Sequence, residues 1–120
     1  MNEQQLVQMI AGVCLEEKAR DILILDVSEL TIIAEYFIIA SGRTIIQVKA
    51  IADSVEMKLK EAGITPLRKD GVAQGIWAVL DYGSVIVHLF RQEERDYYGL
   101  ENLWGDAKEV VVHDEAGPLA

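Results

Sequence analysis

Residues 77–90, WAVLDYGSVIVHLF, alternate side-chain character on both sides of a Tyr82-Gly83 step. A period of two is the mark of a strand, and a glycine able to take positive φ between two such runs marks a hairpin. With Tyr82-Gly83 as a two-residue turn, Asp81 faces Ser84, Leu80 faces Val85, Val79 faces Ile86, Ala78 faces Val87 and Trp77 faces His88. Directly opposed residues share a face. One face then carries Ala78, Leu80, Val85, Val87 and Leu89, a wholly core-type set. The other carries Trp77, Val79, Asp81, Ile86 and His88, mixing aromatic, aliphatic and polar groups.

Other segments supply what packs on the apolar face. Residues 3–19 read as a helix with Leu6, Ile10, Val13 and Cys14 on one stripe and Asn2 as its cap. ILIL at 22–25 and YFIIA at 36–40 are short apolar runs suited to strands buried on both faces. Thr44 and Gln47 have capping-box spacing ahead of a stripe through Ile45, Val48, Ile51, Ala52, Val55 and Leu59, and Gly63 stops that helix. Residues 64–68 read as a strand, with Pro66 marking an edge or a strand start, and residues 70–75 as a loop. One or two short helical turns, broken at Gly99, follow the hairpin. The expected architecture is α/β: a five-stranded sheet with two main helices on one side, short C-terminal helices, and the second face partly covered. Residues 1–108 are expected to form a single domain, and 109–120 a flexible tail.

Composition narrows the function. No apolar run reaches the roughly 20 residues needed to span a bilayer, and MNEQQL lacks the pattern of a secretory signal. One cysteine, Cys14, allows no internal disulfide and no thiolate metal cluster. The expectation is a soluble cytoplasmic protein. A net charge of −9 opposes docking onto exposed phosphates, so specific nucleic-acid binding is not expected. Lys58/Lys60 and Arg68/Lys69 are small basic clusters. An acidic chain suits a basic partner instead, and ribosomal proteins are a basic class.

Motifs for catalysis are weak. Asp81 and His88 stand two pair positions apart, too far for a direct hydrogen bond, and no Ser or Cys nucleophile joins them. His88 reads as a strand histidine packed on Trp77. His88 and His113 are far apart in sequence, and no metal-ligand spacing or cofactor motif is present, so neither metal nor cofactor is expected. Ser41-Gly42 before the second helix reads as a plain strand-to-helix turn, not a phosphate loop. Glu93, Glu94, Asp96 and Glu101 form an acidic run. Beside it lie six of the eight aromatics: Trp77, Tyr82, Phe90, Tyr97, Tyr98 and Trp104. Phe90 and Trp104 are the candidates for the core. Tyr82 at a turn tip is hard to bury. Aromatic anchors beside carboxylates make a protein-binding surface.

The segments DILILDVSELTIIAEYFIIASG, QVKAIADSVEMKLKEAG, WAVLDYGSVIVHLF and RDYYGLENLWGDA, in this order and spacing, resemble the ribosomal silencing factor family, also called Iojap-like. They cover nearly everything from Asp21 to Ala107. Glu35 departs from the family's Asp before the Tyr-Phe pair and keeps the charge. The resemblance implies a two-layer nucleotidyltransferase-like α/β fold without the catalytic equipment. It also implies binding to the universal large-subunit ribosomal protein fourteen, a block to small-subunit joining that represses translation, and homodimers. Active nucleotidyltransferases need paired carboxylates one residue apart on a strand, and no D-x-D or D-x-E follows Ser41-Gly42 on a strand here. The contact residues expected are Trp77, Asp81, Tyr82 and His88, with Tyr98 and Glu101 behind them; Trp77 and Tyr82 would be anchors. An alternative remains open: a nucleotidyltransferase-like enzyme, or nucleotide-binding remnant, using Ser41, Gly42 and Asp81.

Overall fold

The computed structural model describes residues 2–113. Helix α1 (Glu3–Glu16) starts where expected. The Asn2 side chain accepts from Gln5 N–H (2.8 Å) and the Gln5 side chain accepts from Asn2 N–H (3.0 Å), so two otherwise orphaned donors are satisfied reciprocally. Leu6, Val7, Ile10, Ala11, Val13 and Cys14 are its buried stripe. Burial pushes the Cys14 thiol up to about 12, with Glu17 adding to the effect, so it is a neutral core group. In α2 (Ile45–Glu61), Thr44 caps the Gln47 N–H at 3.1 Å. The Gln47 side chain reaches back to Arg43 N–H at 2.7 Å, one residue before the cap.

The strands are β1 (Arg20–Asp26), β2 (Tyr36–Gly42), β3 (Arg68–Asp70), β4 (Trp77–Asp81), β5 (Val85–Arg91) and β6 (Lys108–Val110). They form one sheet in the order β3-β4-β5-β2-β1-β6. β2 and β5 run parallel at its centre, and every other neighbouring pair is antiparallel. The sheet is therefore mixed, with six strands where five were expected. The extra strand lies in the stretch expected to be tail. Lys108–Val110 pairs with Asp26–Ile24 of β1, and Lys108 lies opposite Asp26. Three residues carry too little pattern to be read as a strand; what makes them one is the free edge of β1. Beyond β6, the Gln8 side-chain amide donates to Val111 O (2.8 Å) and accepts from His113 N–H (2.9 Å), tying this segment to α1. The rest of the expected tail, 114–120, lies outside the described residues. The strand expected at 64–68 forms instead at Arg68–Asp70.

α1 and α2 cover one face of the sheet, burying Ile24, Ile38, Ala40, Ala78, Leu80, Val85, Val87 and Leu89. Both faces of the hairpin carry the residues expected of them, but its turn is displaced by one residue. Tyr82 N–H donates to Val85 O (2.9 Å), which places Gly83 and Ser84 at the tip. Asp81 Oδ1 accepts from Gly83 N–H at 2.8 Å, and Gly83 takes φ +88° at no steric cost. Moving the turn centre by one residue shifts every opposed pair by two, so side chains keep their faces. Val79 now opposes His88, and Trp77 opposes Phe90. Tyr82 extends β4 on the helix side and is 9% exposed. The expectation of an exposed tip residue is thus corrected: the tip belongs to Gly83 and Ser84.

Helices α3 (Gln92–Tyr98) and α4 (Leu100–Leu103), joined at Gly99, lie on the other face. They cover only part of it. Phe90, Phe37, Ile39, Leu25, Val27 and Ala34 are buried there, with Trp77, Ile86, Leu100 and Trp104 partly so.

Candidate partner-binding face

The face away from α1 and α2 carries a continuous train of rings. Trp104 meets Phe37 edge-on, with centroids 5.0 Å apart, and Phe37 meets His88 edge-on at 5.1 Å. Trp77 stacks on Phe90 at 4.8 Å and meets Tyr98 at a tilt at 5.2 Å, with Phe90 and Tyr98 themselves 6.4 Å apart. Tyr97 meets Tyr98 edge-on at 5.0 Å. Edge-to-face and offset contacts are the favoured ring geometries and hold such a train in one arrangement. Its outer members are open to solvent: Tyr98 is 51% exposed and Tyr97 82%.

His88 is the polar member. Trp77 Nε1–H donates to His88 Nδ1 at 3.2 Å, so the ring proton resides on Nε2. Nε2 is buried without a partner. Burial lowers the His88 pKa to about 4, which keeps the imidazole neutral. Beside it opens a groove of about 390 Å³ floored by Phe37, Val79, Ile86 and His88, with Ile33 on one side and Arg68, Lys69, Asp70 and Asp81 on the other. Asp81 is held in place: it pairs with Arg68 at 3.3 Å while its other oxygen caps the turn. Ile32, fully exposed, and Ile33 stand in the β1–β2 loop beside this groove.

The acidic run is largely spoken for. Both Glu94 oxygens accept from Arg91, at 2.7 and 2.6 Å. That hydrogen bonding holds the Glu94 carboxyl below its ordinary range and Arg91 above its own. Asp96 accepts from Gln92 at 3.1 Å, and Glu101 from Arg95 at 3.3 Å. Glu93 lies 3.4 Å from Arg91 and remains mostly exposed.

Of the expected contact residues, Trp77, Asp81, His88 and Tyr98 therefore share one face. Glu101 is turned inward toward Arg95, and Tyr82 lies on the opposite face. The Ser41, Gly42 and Asp81 set does not converge. Ser41 pairs with Phe90 and Asp81 with Ile86, four residues earlier along β5 and on the other side of it, a displacement of roughly 13 Å along the strands. Ser41 is fully buried. Among the described residues no group of three or more His, Cys, Asp or Glu side chains could hold a metal ion, and no helix is long and apolar enough to cross a membrane.

The family model described as "Ribosomal silencing factor during starvation" matches residues 1–119. The chain belongs to the ribosomal silencing factor family. It is 39% identical over 107 residues to the "Ribosomal silencing factor RsfS" of Bacillus subtilis, covering 89% of this chain and 91% of that protein. It is 43% identical over 117 residues to the protein of the same name from Chromobacterium violaceum, covering 97% and 96%. A crystal structure of a Chromobacterium violaceum protein superimposes with a TM-score of 0.85 at 38% identity, over the whole of both chains. In this ribosomal silencing factor chain, the sequence reading missed Ile33, Phe37, Val79 and Ile86 as groove residues and Arg95 as a buried cation. Two adjacent isoleucines outside any strand, Ile32 and Ile33, were the available signal. Arg95 had none, because the acceptors that bury it, Arg20 O and Ser41 Oγ, come from distant segments.

Proposed function

We propose that the chain is a ribosome-associated repressor of translation. It binds the large subunit through the basic universal large-subunit ribosomal protein fourteen and sterically blocks small-subunit joining. Family membership supports association with the ribosome and a regulatory role. The observation that carries the reading to a surface is the incompletely covered second sheet face, where Trp77 and Tyr98 pack together beside a groove with an apolar floor and a charged rim. Rigid aromatics around a desolvated pocket are the usual centre of a protein interface. Asp81 is positioned to exchange the solvent-exposed Arg68 for a cationic side chain of the partner.

The mechanism asks for occupancy, not chemistry: no bond is made or broken, and no cofactor is consumed. The α/β frame acts as a nucleotidyltransferase-like scaffold used for binding, and the site of action is the cytoplasm. If a second copy covers the same face in a homodimer, the dimer must open before the ribosome is engaged.

Co-sedimentation with isolated large subunits tests the reading, with small subunits as the control. Saturable pelleting with large subunits alone is expected. Tyr98→Ala should weaken it by about 1–3 kcal/mol, the usual loss on truncating an interface anchor, with little loss of stability because Tyr98 is half exposed. Equal pelleting with both subunits, or unchanged affinity of Tyr98→Ala, contradicts the assignment.

A further inference from the structure

α3 and α4 present Tyr98 to the open face, yet little apolar surface holds them down. The one buried residue of α3 is a cation, Arg95, and α4 has no buried residue. The Arg95 guanidinium reaches three separate elements. Nη1 donates to Arg20 O at the start of β1 and to Ser41 Oγ at the end of β2, both at 3.3 Å. Nε donates to Glu101 Oε2 in α4, also at 3.3 Å. Ser41, fully buried, donates in turn to Gln92 Oε1 at 3.0 Å. A buried cation must be paired, and a guanidinium is a rigid planar fork, so each acceptor restricts where α3 can lie. An apolar residue in its place would let the helix slide.

Glu101 shares in this. One oxygen holds Arg95, and the other, Oε1, is buried with no partner. The side chain as a whole is only partly covered, 30% exposed, but its two oxygens turn inward toward Arg95.

We propose that Arg95 and Glu101 are positioning residues for the partner-binding face: together they fix α3 and α4 so that Tyr98 packs against Trp77, and neither touches the ribosome. This rests on the reading of Trp77 and Tyr98 as contact residues. It gives Ser41, buried and without a catalytic partner, a purpose as an acceptor for Arg95.

The test joins a spectroscopic readout on the free protein to large-subunit binding. In a Trp104→Phe background Trp77 is the only tryptophan, and its emission reports whether Tyr98 still covers it. Arg95→Gln and Glu101→Ala are each expected to shift that emission to the red and to weaken pelleting with large subunits about tenfold. Placed in a Tyr98→Ala chain, each should weaken it less than twofold further, because the contact being positioned is already gone. Glu101→Ala keeps the test decisive if Arg95→Gln unfolds, since the α1–α2 core does not involve Glu101. Full additivity with Tyr98→Ala, lost affinity with unmoved emission, or moved emission with unchanged affinity each overturns the positioning role while leaving the partner reading intact. Failure of the wild-type chain to pellet overturns the partner reading itself, and this inference with it.

Discussion

Tyr82 separates a partner anchor from a core residue, and a two-variant series decides it. Its ring is packed with Ala78, Leu80 and Val85 on the helix-covered face, while its hydroxyl is buried with no hydrogen-bond partner. Burial, with Glu56 nearby, pushes the phenol up to about 12. An unpaired buried polar group costs on the order of 1–3 kcal/mol. Removing only the oxygen in Tyr82→Phe should therefore stabilise the fold, by about 1 kcal/mol if the lower figure applies. For a chain of this length that is a rise in Tm of about 4 °C. Tyr82→Ala removes the ring and should cost about 3–5 kcal/mol, as loss of a buried aromatic does, a large share of a typical stability. The phenol adds a pH signature. Its folded pKa lies above its unfolded value near 10, so its contribution is complete below about pH 10 and is lost as pH rises toward 12. Urea unfolding at pH 7 and pH 11, with large-subunit pelleting in parallel, reads all of this. The expected result is Tyr82→Phe more stable than wild type, less sensitive to alkali and unchanged in pelleting. A Tyr82→Phe chain that is less stable, or a Tyr82→Ala chain that keeps wild-type stability but no longer pellets, would refute the placement of this side chain.

His88 should govern acid sensitivity: its folded pKa of about 4 lies below the ordinary 6.5, so the neutral ring's stabilisation is complete above about pH 6.5 and is lost as pH falls toward 4. Comparing wild type with His88→Gln by urea unfolding at pH 7 and pH 4.5 should show about 2–3 kcal/mol more acid loss in the wild type; parallel pH dependence would refute this. Gly71→Ala should destabilise by about 2–3 kcal/mol, because φ is +72° and a Cβ there would collide with Trp77 O; a thermal melt within 2 °C of wild type, on the scale that 1 kcal/mol moves Tm by about 4 °C, would count against it. Gln8→Ala should free Val111 and His113 from α1, costing about 1 kcal/mol, with faster amide exchange at His113; unchanged exchange there would show that another contact holds the segment.

The patterns that repeat along the chain were legible because each depends on neighbours in sequence. Asn2–Gln5 and Thr44–Gln47 cap their helices through contacts three residues apart. The alternation of 77–90 assigns every side chain to its face even though the turn is displaced by one residue, because a displaced turn moves opposed pairs by two. What the sequence could not state are the decisions made between distant segments. β6 is a strand only because β1 has a free edge beside it. Tyr82 is buried because the core between the sheet and the α1–α2 layer, drawn from segments far apart in the chain, takes in its ring. Arg95 and Glu101 look like members of a solvated charge run, and only the packing of α3 against the ends of β1 and β2 turns them inward. Local geometry is set by residues three or four apart, whereas desolvation and pairing depend on which remote groups the tertiary fold brings within hydrogen-bonding distance.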